Sequence, residues 1–276
     1  MTEDSISISD IAFNSSEARE RIGTEIFETP LIPSLKRGSK LLFKAENFQN
    51  TGSFKIRGAL SKLTALAKTK DLNAIKFITA SSGNHGIACS KAASILGASL
   101  TVVLPETVAK VKLERIKSFG VDVLIQGEES GQAELYAQKM SKEEGYYYIS
   151  PYNDSEVIAG QGTIGLEILE QMKGRSLDNL FISIGGGGLI SGISAVIKHH
   201  SPETKIWGIS AINSCTLADS IKAGRMIETK HFETLADGCA GGVDEDTITF
   251  SITKQTVDEL LDDLSHIKEA VKVKSI

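Results

Sequence analysis

Hydrophobic residues along the chain follow two alternating patterns. Short runs rich in β-branched and aromatic residues predict strands, and longer stretches with apolar residues every three or four positions predict helices. The predicted strands are "KLLFKAE", "AIKFITA", "LTVVLPE", "VDVLIQG", "NLFISIG" and "KIWGIS". Helical segments such as "HGIACSKAASILGA", "VAKVKLERIKSFG" and "GLISGISAVIKHH" separate them. This alternation is typical of βαβ units, so we expect an α/β fold with a parallel sheet.

Three glycine-containing loops lie where a predicted strand passes into a predicted helix. They are "NTGSFK" at residues 50–55, "SSGNHG" at 81–86 and "GGGGLISG" at 185–192. Open α/β sheets bind their ligands at the carboxyl ends of the strands. We therefore expect these three loops to contain the binding residues.

The run of four glycines indicates an anion site. Without Cβ atoms the backbone can approach a ligand closely, and the amides of the following helix can face a phosphate. A dinucleotide site would need GxGxxG in the first βα turn with an acidic residue about twenty positions later, and a Walker A loop would need Lys-Ser/Thr after the glycines. Neither pattern is present, so the sequence predicts a phosphate site of another kind.

Composition and charge limit the class of partner. The chain has 276 residues, of which 41% are hydrophobic, and this suits one large globular unit or two joined lobes. A net charge of -5 with interspersed acidic and basic residues forms no extended basic field, so we expect neither nucleic acid nor a membrane as partner. The polar N-terminus and the lack of a long apolar run predict a cytoplasmic protein with a small-molecule substrate.

The three cysteines do not indicate a metal or disulfide framework. Cys89, Cys215 and Cys239 lie far apart in sequence and form no CxxC pair. We expect them to be buried free thiols.

A lysine at a predicted helix entrance, combined with a phosphate loop, favours pyridoxal 5'-phosphate as cofactor, because lysine amines form Schiff bases with its aldehyde. In this order "TGSFKIRGA", "SSGNHG", "VIAGQGTIGLEIL" and "GGGGLISG" resemble the serine/threonine dehydratase (threonine ammonia-lyase) and serine racemase branch of the fold-type II, tryptophan synthase β-like, pyridoxal phosphate enzymes. The resemblance spans about residues 29–250. Cysteine synthases resemble "TGSxKDR" instead, so Phe54 and Ile56 favour the dehydratases.

The resemblance implies a two-lobed α/β fold with parallel or mixed twisted sheets flanked by helices. A smaller lobe at residues 71–149 is expected as an insertion in a larger cofactor-binding lobe formed by residues 1–70 and 150–276. The cofactor is expected in the cleft, and the chain is expected to form a homodimer or a larger homo-oligomer.

The resemblance also implies roles for individual residues. Lys55 would form the internal aldimine and move the substrate α-proton, Phe54 would pack against the cofactor ring, and Asn84 would hydrogen-bond the 3'-oxygen. Ser82 matches the position that serves as acid/base on the opposite face in racemases. The cofactor phosphate is assigned to Gly185, Gly186, Gly187, Gly188 and Leu189, and the substrate carboxylate to Ser81, Ser82, Gly83, Asn84 and His85.

The activity implied is β-elimination, in which L-serine gives pyruvate and L-threonine gives 2-oxobutanoate, each with ammonia. Three alternatives stay open: a serine racemase, a hydroxyaspartate dehydratase, and a truncated, non-catalytic pyridoxal phosphate-binding protein. The imidazole of His85 is assigned no proton-transfer role. For the helix opened by "VIAGQGT", a glycine-rich N-cap and a ligand-facing segment are equally open interpretations.

The sequence departs from the family pattern in two places. Members with a divalent cation site carry a glutamate where this chain has Ser210, and no acidic residue follows until Asp219, so we predict no metal site and more dehydration than racemisation. Family chains also continue past "SHIKEAV" into a helix and strand, whereas this one stops at "KVKSI". We therefore expect a shortened C-terminus and impaired turnover.

Overall fold

The computed structural model describes residues 6–261 of the chain. Contacts divide the chain into two compact units. The lysine unit is Ser16–Pro151, and the glycine unit is Met1–Ser15 with Tyr152–Ile276. The C-terminal segments "SHIKEAV" and "KVKSI" lie outside the described residues.

The lysine unit contains a parallel sheet and a separate hairpin. Its strands are β1 Leu31–Ser34, β2 Gly38–Lys44, β3 Lys76–Ala80, β4 Ser99–Leu104, β5 Asp122–Ile125 and β6 Tyr147–Tyr148. Its helices are the C-terminal part of α1 Ile8–Ile22, then α2 Lys55–Ala67, α3 Asn84–Leu96, α4 Lys110–Lys117 and α5 Ser130–Glu144. The parallel strand order is β5-β4-β3-β6, and β1 pairs antiparallel with β2.

Hydrophobic side chains cover both faces of the parallel sheet. Successive residues of a strand point to opposite faces. Accordingly Phe77 and Val102 belong to the cluster formed with α2 and α3, whereas Ile78 and Val103 pack with Ala137 of α5. A parallel strand buried on both faces favours a nearly continuous apolar run, and this explains the high apolar content of "KFITA" and "LTVVL".

The glycine unit contains a second parallel sheet and close-packed helices. Its strands are β7 Asn179–Ser183, β8 Lys205–Ile209 and β9 Glu259–Leu261, paired in that order. Its further helices are α6 Ser155–Met172, α7 Gly188–His200, α8 Thr216–Ala223 and α9 Ile248–Thr256.

The "VIAGQGT" segment lies inside α6 rather than opening it. Asp154 caps this helix by accepting hydrogen bonds from the amides of Glu156 and Val157. A Cβ on Gly162 would lie 2.1 Å from the Ser15 hydroxyl, and one on Gly192 would lie 2.3 Å from a backbone oxygen of α6. The glycines therefore allow α6 to pack closely against its neighbours, so the N-cap interpretation was wrong.

The α/β class with parallel sheets flanked by helices is confirmed. Each of the six predicted strands corresponds to an observed strand, while β1, β6 and β9 were not predicted because they have only two to four residues. The lobe boundaries expected at residues 71–149 stay a prediction. All three cysteines are thiols and not disulfides, but only Cys89 is buried, so the expected burial was wrong for Cys215 and Cys239.

Candidate active site

Lys55 is the first residue of α2, behind a tight turn that includes Gly52 with φ of 82°. Its Nζ donates a hydrogen bond to the Pro151 carbonyl oxygen at 2.8 Å and lies 5.4 Å from the Phe54 ring centroid. The lysine side chain is half-buried, and the following Ile56 is fully buried. The turn therefore presents an amine next to an aromatic ring while the helix behind it is anchored in the core.

A buried ion pair anchors the start of α2. Arg57 is fully buried, and its guanidinium binds both carboxylate oxygens of Glu46 at 2.8 Å. It also donates to the Phe27 carbonyl at 3.3 Å. A two-pronged contact of this kind restricts orientation as well as distance. Lys55, two residues earlier, is thereby given a defined position.

Ser53 brings an unsatisfied hydroxyl to the same turn. Its side chain is 7% exposed, and its Oγ has no hydrogen-bond partner among residues 6–261. Buried polar groups are usually paired, so an orphan next to a candidate catalytic lysine calls for a ligand.

Residues 81–83 join β3 to α3, and Asn84 and His85 are the first two residues of that helix. The Ser81 hydroxyl accepts a hydrogen bond from the Gly83 amide at 3.2 Å, and a Cβ on Gly86 would lie 2.0 Å from the Ser81 carbonyl oxygen. Gly86 is therefore required by the tightness of the loop. Asn84, the first residue of α3, is exposed, and we find no hydrogen bond from its side-chain amide within residues 6–261. The half-exposed Ser82 precedes it.

His85 points into the core instead. Its Nε2 lies 3.1 Å from the Ile149 carbonyl oxygen, and the Cys89 sulfur lies 3.7 Å from its Nδ1. Burial, and to a smaller extent the charge of Lys55, lowers the pKa of His85 to about 3. Burial raises the pKa of the Cys89 thiol to about 12. Both groups are neutral at physiological pH, and the expectation that the imidazole takes no part in proton transfer stays a prediction.

The neutral His85 should make stability depend on pH. Between pH 6.5, the ordinary pKa, and about 3 the unfolded chain binds a proton that the folded chain excludes. The contribution of His85 to the free energy of unfolding should therefore be constant above pH 6.5. Below pH 6.5 it should fall by about 1.4 kcal/mol for each pH unit of acidification. Urea denaturation of wild type and His85→Gln between pH 7 and 4.5 measures the difference in slope.

His199→Gln, near the exposed end of α7, is the control for removing one imidazole. Equal slopes for wild type and His85→Gln would show that His85 is protonated in the folded chain.

The glycine loop joins β7 to α7 in the glycine unit. Gly187 has φ of 88°, a conformation that favours glycine, and it precedes a helix without a side-chain cap. A Cβ on Gly186 would lie 2.4 Å from the Tyr152 ring, and one on Gly187 would lie 2.5 Å from Leu217. The loop is thus closely packed by its neighbours, and the first amides of α7 lack a side-chain acceptor.

Sequence reasoning missed two residues that contact this loop, Thr249 and Tyr152, and a third, Asn153, that binds the start of α9. The Thr249 hydroxyl donates to the Gly186 carbonyl at 2.8 Å, and the Tyr152 ring packs against Gly186 while its hydroxyl accepts from the Asp244 amide at 2.9 Å. The Asn153 side chain accepts from the Ile248 amide at 3.0 Å. In the sequence they belong to two short polar segments, "SPYND" directly before α6 and "DEDTITF" around the start of α9, but nothing in these segments records which residues they contact.

No cluster of three or more potential metal-ligating side chains occurs in the part of the chain that the structure describes. Ser210 follows β8 directly, and its buried Oγ lacks a partner among the described residues. The expected lack of a metal site stays a prediction. Within residues 6–261, no helix is both long and apolar enough to cross a membrane.

These features fit pyridoxal phosphate. A primary amine at a helix start can bind an aldehyde, and the uncapped N-terminus of α7 after four glycines can bind a phosphate. The orphan Ser53 hydroxyl and the free side-chain amide of Asn84 are further polar groups available to a ligand. The lysine belongs to the lysine unit and the glycine loop to the glycine unit.

Comparison with known proteins points the same way. The chain is 36% identical over 261 residues to L-threonine dehydratase catabolic TdcB from Staphylococcus aureus, an alignment that covers 93% of this chain and 73% of the relative. The processed form of threonine deaminase isoform 2 from Solanum lycopersicum superimposes with a TM-score of 0.85 at 29% identity, covering 92% of this chain and 69% of the other. Maize serine racemase has a TM-score of 0.83 at 31% identity, with coverages of 96% and 79%.

The profile of the family described as "Pyridoxal-phosphate dependent enzyme" matches residues 22–272, which is most of the chain. The matched region includes Lys55, the loop of residues 81–85 and the four glycines. The cofactor and fold-type II architecture predicted from the sequence are confirmed. The chain belongs to the pyridoxal-phosphate dependent enzyme family.

Proposed function

We propose that the protein is an ammonia-lyase that dehydrates and deaminates L-threonine, L-serine or both. The products are 2-oxobutanoate or pyruvate, with ammonia. The observation that carries the chemistry is the placement of Lys55, whose amine lies at the start of α2 beside Phe54 and within reach of a carbonyl acceptor. The substrate class comes from the likeness to TdcB and to threonine deaminase.

Each loop has a separate task in this proposal. Lys55 would hold the cofactor through its Nζ and, when that amine is free, would take the substrate α-proton at the same atom. The amides of residues 185–189 bind the phosphate, supported by the glycine backbone and the N-terminal end of α7. When bound, pyridoxal phosphate supplies an electron sink for the charge left on the substrate Cα.

The loop before α3 orients the substrate. The amides and hydroxyls of Ser81, Ser82, Gly83, Asn84 and His85 are proposed to bind the substrate carboxylate, since the N-terminus of α3 favours an anion. The Asn84 side chain is proposed to hydrogen-bond the cofactor's 3'-oxygen, and Phe54 to support its ring. The β-hydroxyl leaves as water, and the released enamine adds water to give the keto acid and ammonia.

Racemisation is the second candidate, and one residue favours it. Ser82 is half-exposed next to Asn84, where its hydroxyl could exchange a proton with the opposite face of the substrate, and maize serine racemase is a structural neighbour. We expect dehydration to dominate. Keto acid assays with L-serine and L-threonine, run beside chiral chromatography, measure both reactions.

Dominant formation of D-serine, or strong stimulation by magnesium or calcium, would contradict the dehydratase proposal. The Ser82→Ala variant separates the two reactions: a selective loss of D-serine formation with keto acid production retained assigns Ser82 to racemisation alone.

The assembly state and location belong to the same proposal. We propose a homodimer or a larger homo-oligomer in the cytoplasm. Exposed apolar side chains on and beside the β1–β2 hairpin support association: Phe27, Ile32, Leu35, Phe43 and Phe48. Sedimentation of the purified chain measures the assembly.

A further inference from the structure

The chain segment that carries the carbonyl bound by Lys55 is held by buried side chains two residues earlier, at Ile149. Pro151 lies three residues after the end of β6. Between them, both the amide and the carbonyl oxygen of Ile149 form hydrogen bonds. The Ile149 amide donates to the Ile78 carbonyl at 2.9 Å, which continues the pairing of β3 with β6. The segment leading to Pro151 is therefore an extension of the sheet.

Two side chains donate to the carbonyl oxygen of Ile149. The Thr79 hydroxyl binds it at 2.9 Å, and the His85 Nε2 lies at 3.1 Å. A carbonyl accepts hydrogen bonds but cannot donate them, so the neutral imidazole carries its proton on Nε2. Both acceptor positions of the Ile149 oxygen are thus used, and Thr79 and His85 are themselves buried.

We propose that the Pro151 carbonyl is the resting acceptor for the Lys55 amine whenever that amine is not bonded to the cofactor, and that Thr79 and His85 are positioning residues for it. The inference rests on the proposed role of Lys55. It extends that role, because nothing in the proposed reaction requires Thr79 or a specific acceptor.

A carbonyl acceptor of this kind suits the proposed reaction. When the substrate displaces Lys55, the freed amine must stay close to the α-carbon, and once it takes the α-proton it becomes an ammonium group with three donors. A carbonyl oxygen binds the ammonium form in a charge-assisted hydrogen bond but removes no proton from it. The Pro151 carbonyl can therefore hold Lys55 nearby without competing as a base.

Loosening the carbonyl should release the amine. An ammonium bound to a carbonyl must lose that hydrogen bond and a proton before it can attack a reagent. Thr79→Val removes one donor to Ile149 at nearly constant volume. Because a hydrogen bond contributes about 1 kcal/mol, we expect acetylation of Lys55 in the cofactor-free chain to become about fivefold faster.

The measurement is competitive acetylation with N-hydroxysuccinimidyl acetate, followed by peptide mass spectrometry. Lys91 on α3, in the same unit, is the internal reference for the Lys55 rate. Thr79→Ser keeps the hydroxyl and should restore the wild-type ratio. Thr163→Val, which removes a buried hydroxyl bonded to the Gly160 carbonyl at 2.7 Å in the other unit, should leave the ratio unchanged. Equal Lys55-to-Lys91 ratios in wild type and Thr79→Val overturn the proposal.

A second measurement needs no Thr79 variant. In cofactor-free protein labelled with 15N at lysine Nζ, the bound ammonium of Lys55 should give a slowly exchanging signal that is missing in Lys55→Ala and disappears when pyridoxal phosphate is added. Absence of any protected signal assigned to Lys55 also overturns the proposal.

Borohydride reduction of the holoenzyme tests the proposed function separately. Label on Lys55 together with an unchanged acetylation ratio refutes only the role of Pro151 as resting acceptor. Label on another lysine refutes the assignment of Lys55.

Discussion

Replacing Lys55 by alanine is expected to abolish keto acid production from L-serine and L-threonine. The variant loses both the amine that holds the cofactor and the group that moves the α-proton. Since general acid–base catalysis alone contributes about 10²–10⁴-fold, the loss in kcat/KM should exceed about 10³-fold. Wild type reduced with borohydride should carry the cofactor on the peptide that contains Lys55, and the variant should carry none there.

Lys68→Ala is the matched control for this substitution. Lys68 directly follows the last residue of the same helix, is exposed and forms a loose ion pair with Glu17 at 3.6 Å. Its replacement should leave the keto acid rate unchanged. Comparable loss in the two variants would mean that the effect comes from the helix and not from the amine of Lys55.

Replacing Arg57 by methionine is expected to cost about 3–5 kcal/mol of unfolding free energy, because removing one partner of a buried ion pair leaves the other charge without its counter-ion. The guanidinium is completely buried and binds both oxygens of Glu46. Since α2 also carries Lys55, cofactor occupancy should fall together with stability. Urea denaturation and cofactor absorbance measure the two effects.

An exposed ion pair in the same unit provides the comparison. Lys139 and Glu143 on α5 lie 3.7 Å apart with both side chains more than half exposed, so Lys139→Met should cost at most about 0.5 kcal/mol. The double variant Arg57→Met with Glu46→Leu should recover part of the lost stability, since no buried charge then lacks a partner. A cost for Arg57→Met as small as that for Lys139→Met would contradict the argument.

The fold class could be predicted because its signals are local. Each of the apolar runs "KFITA", "LTVVL" and "NLFIS" became a strand, and each of the three glycine loops lies where a strand or turn leads into a helix. The short β9 was missed, because its three residues form a strand only through pairing with β8. The "VIAGQGT" glycines were misinterpreted for a similar reason: their function depends on Ser15 and α7, which are distant in sequence.

Some residues of the candidate site could be predicted from the sequence and others could not. Lys55, Asn84 and the four glycines could be identified from residue type and order, whereas Tyr152, Asn153 and Thr249 could not. Their hydrogen bonds and ring contacts join them to partners that lie 34 to 95 residues away along the chain. No periodicity or motif spacing records such pairs.

The sequence by itself determined the alternation of strands and helices, the amine at the start of α2, the glycine run and, through them, the cofactor class. These depend on chain neighbours and on the backbone freedom of glycine. The tertiary structure decided what surrounds them: the Pro151 carbonyl lies 96 residues from Lys55, and Thr79 and His85 reach the same segment over 70 and 64 residues. Folding alone creates these contacts, because hydrogen bonds and close packing depend on distance in space and not on separation along the chain.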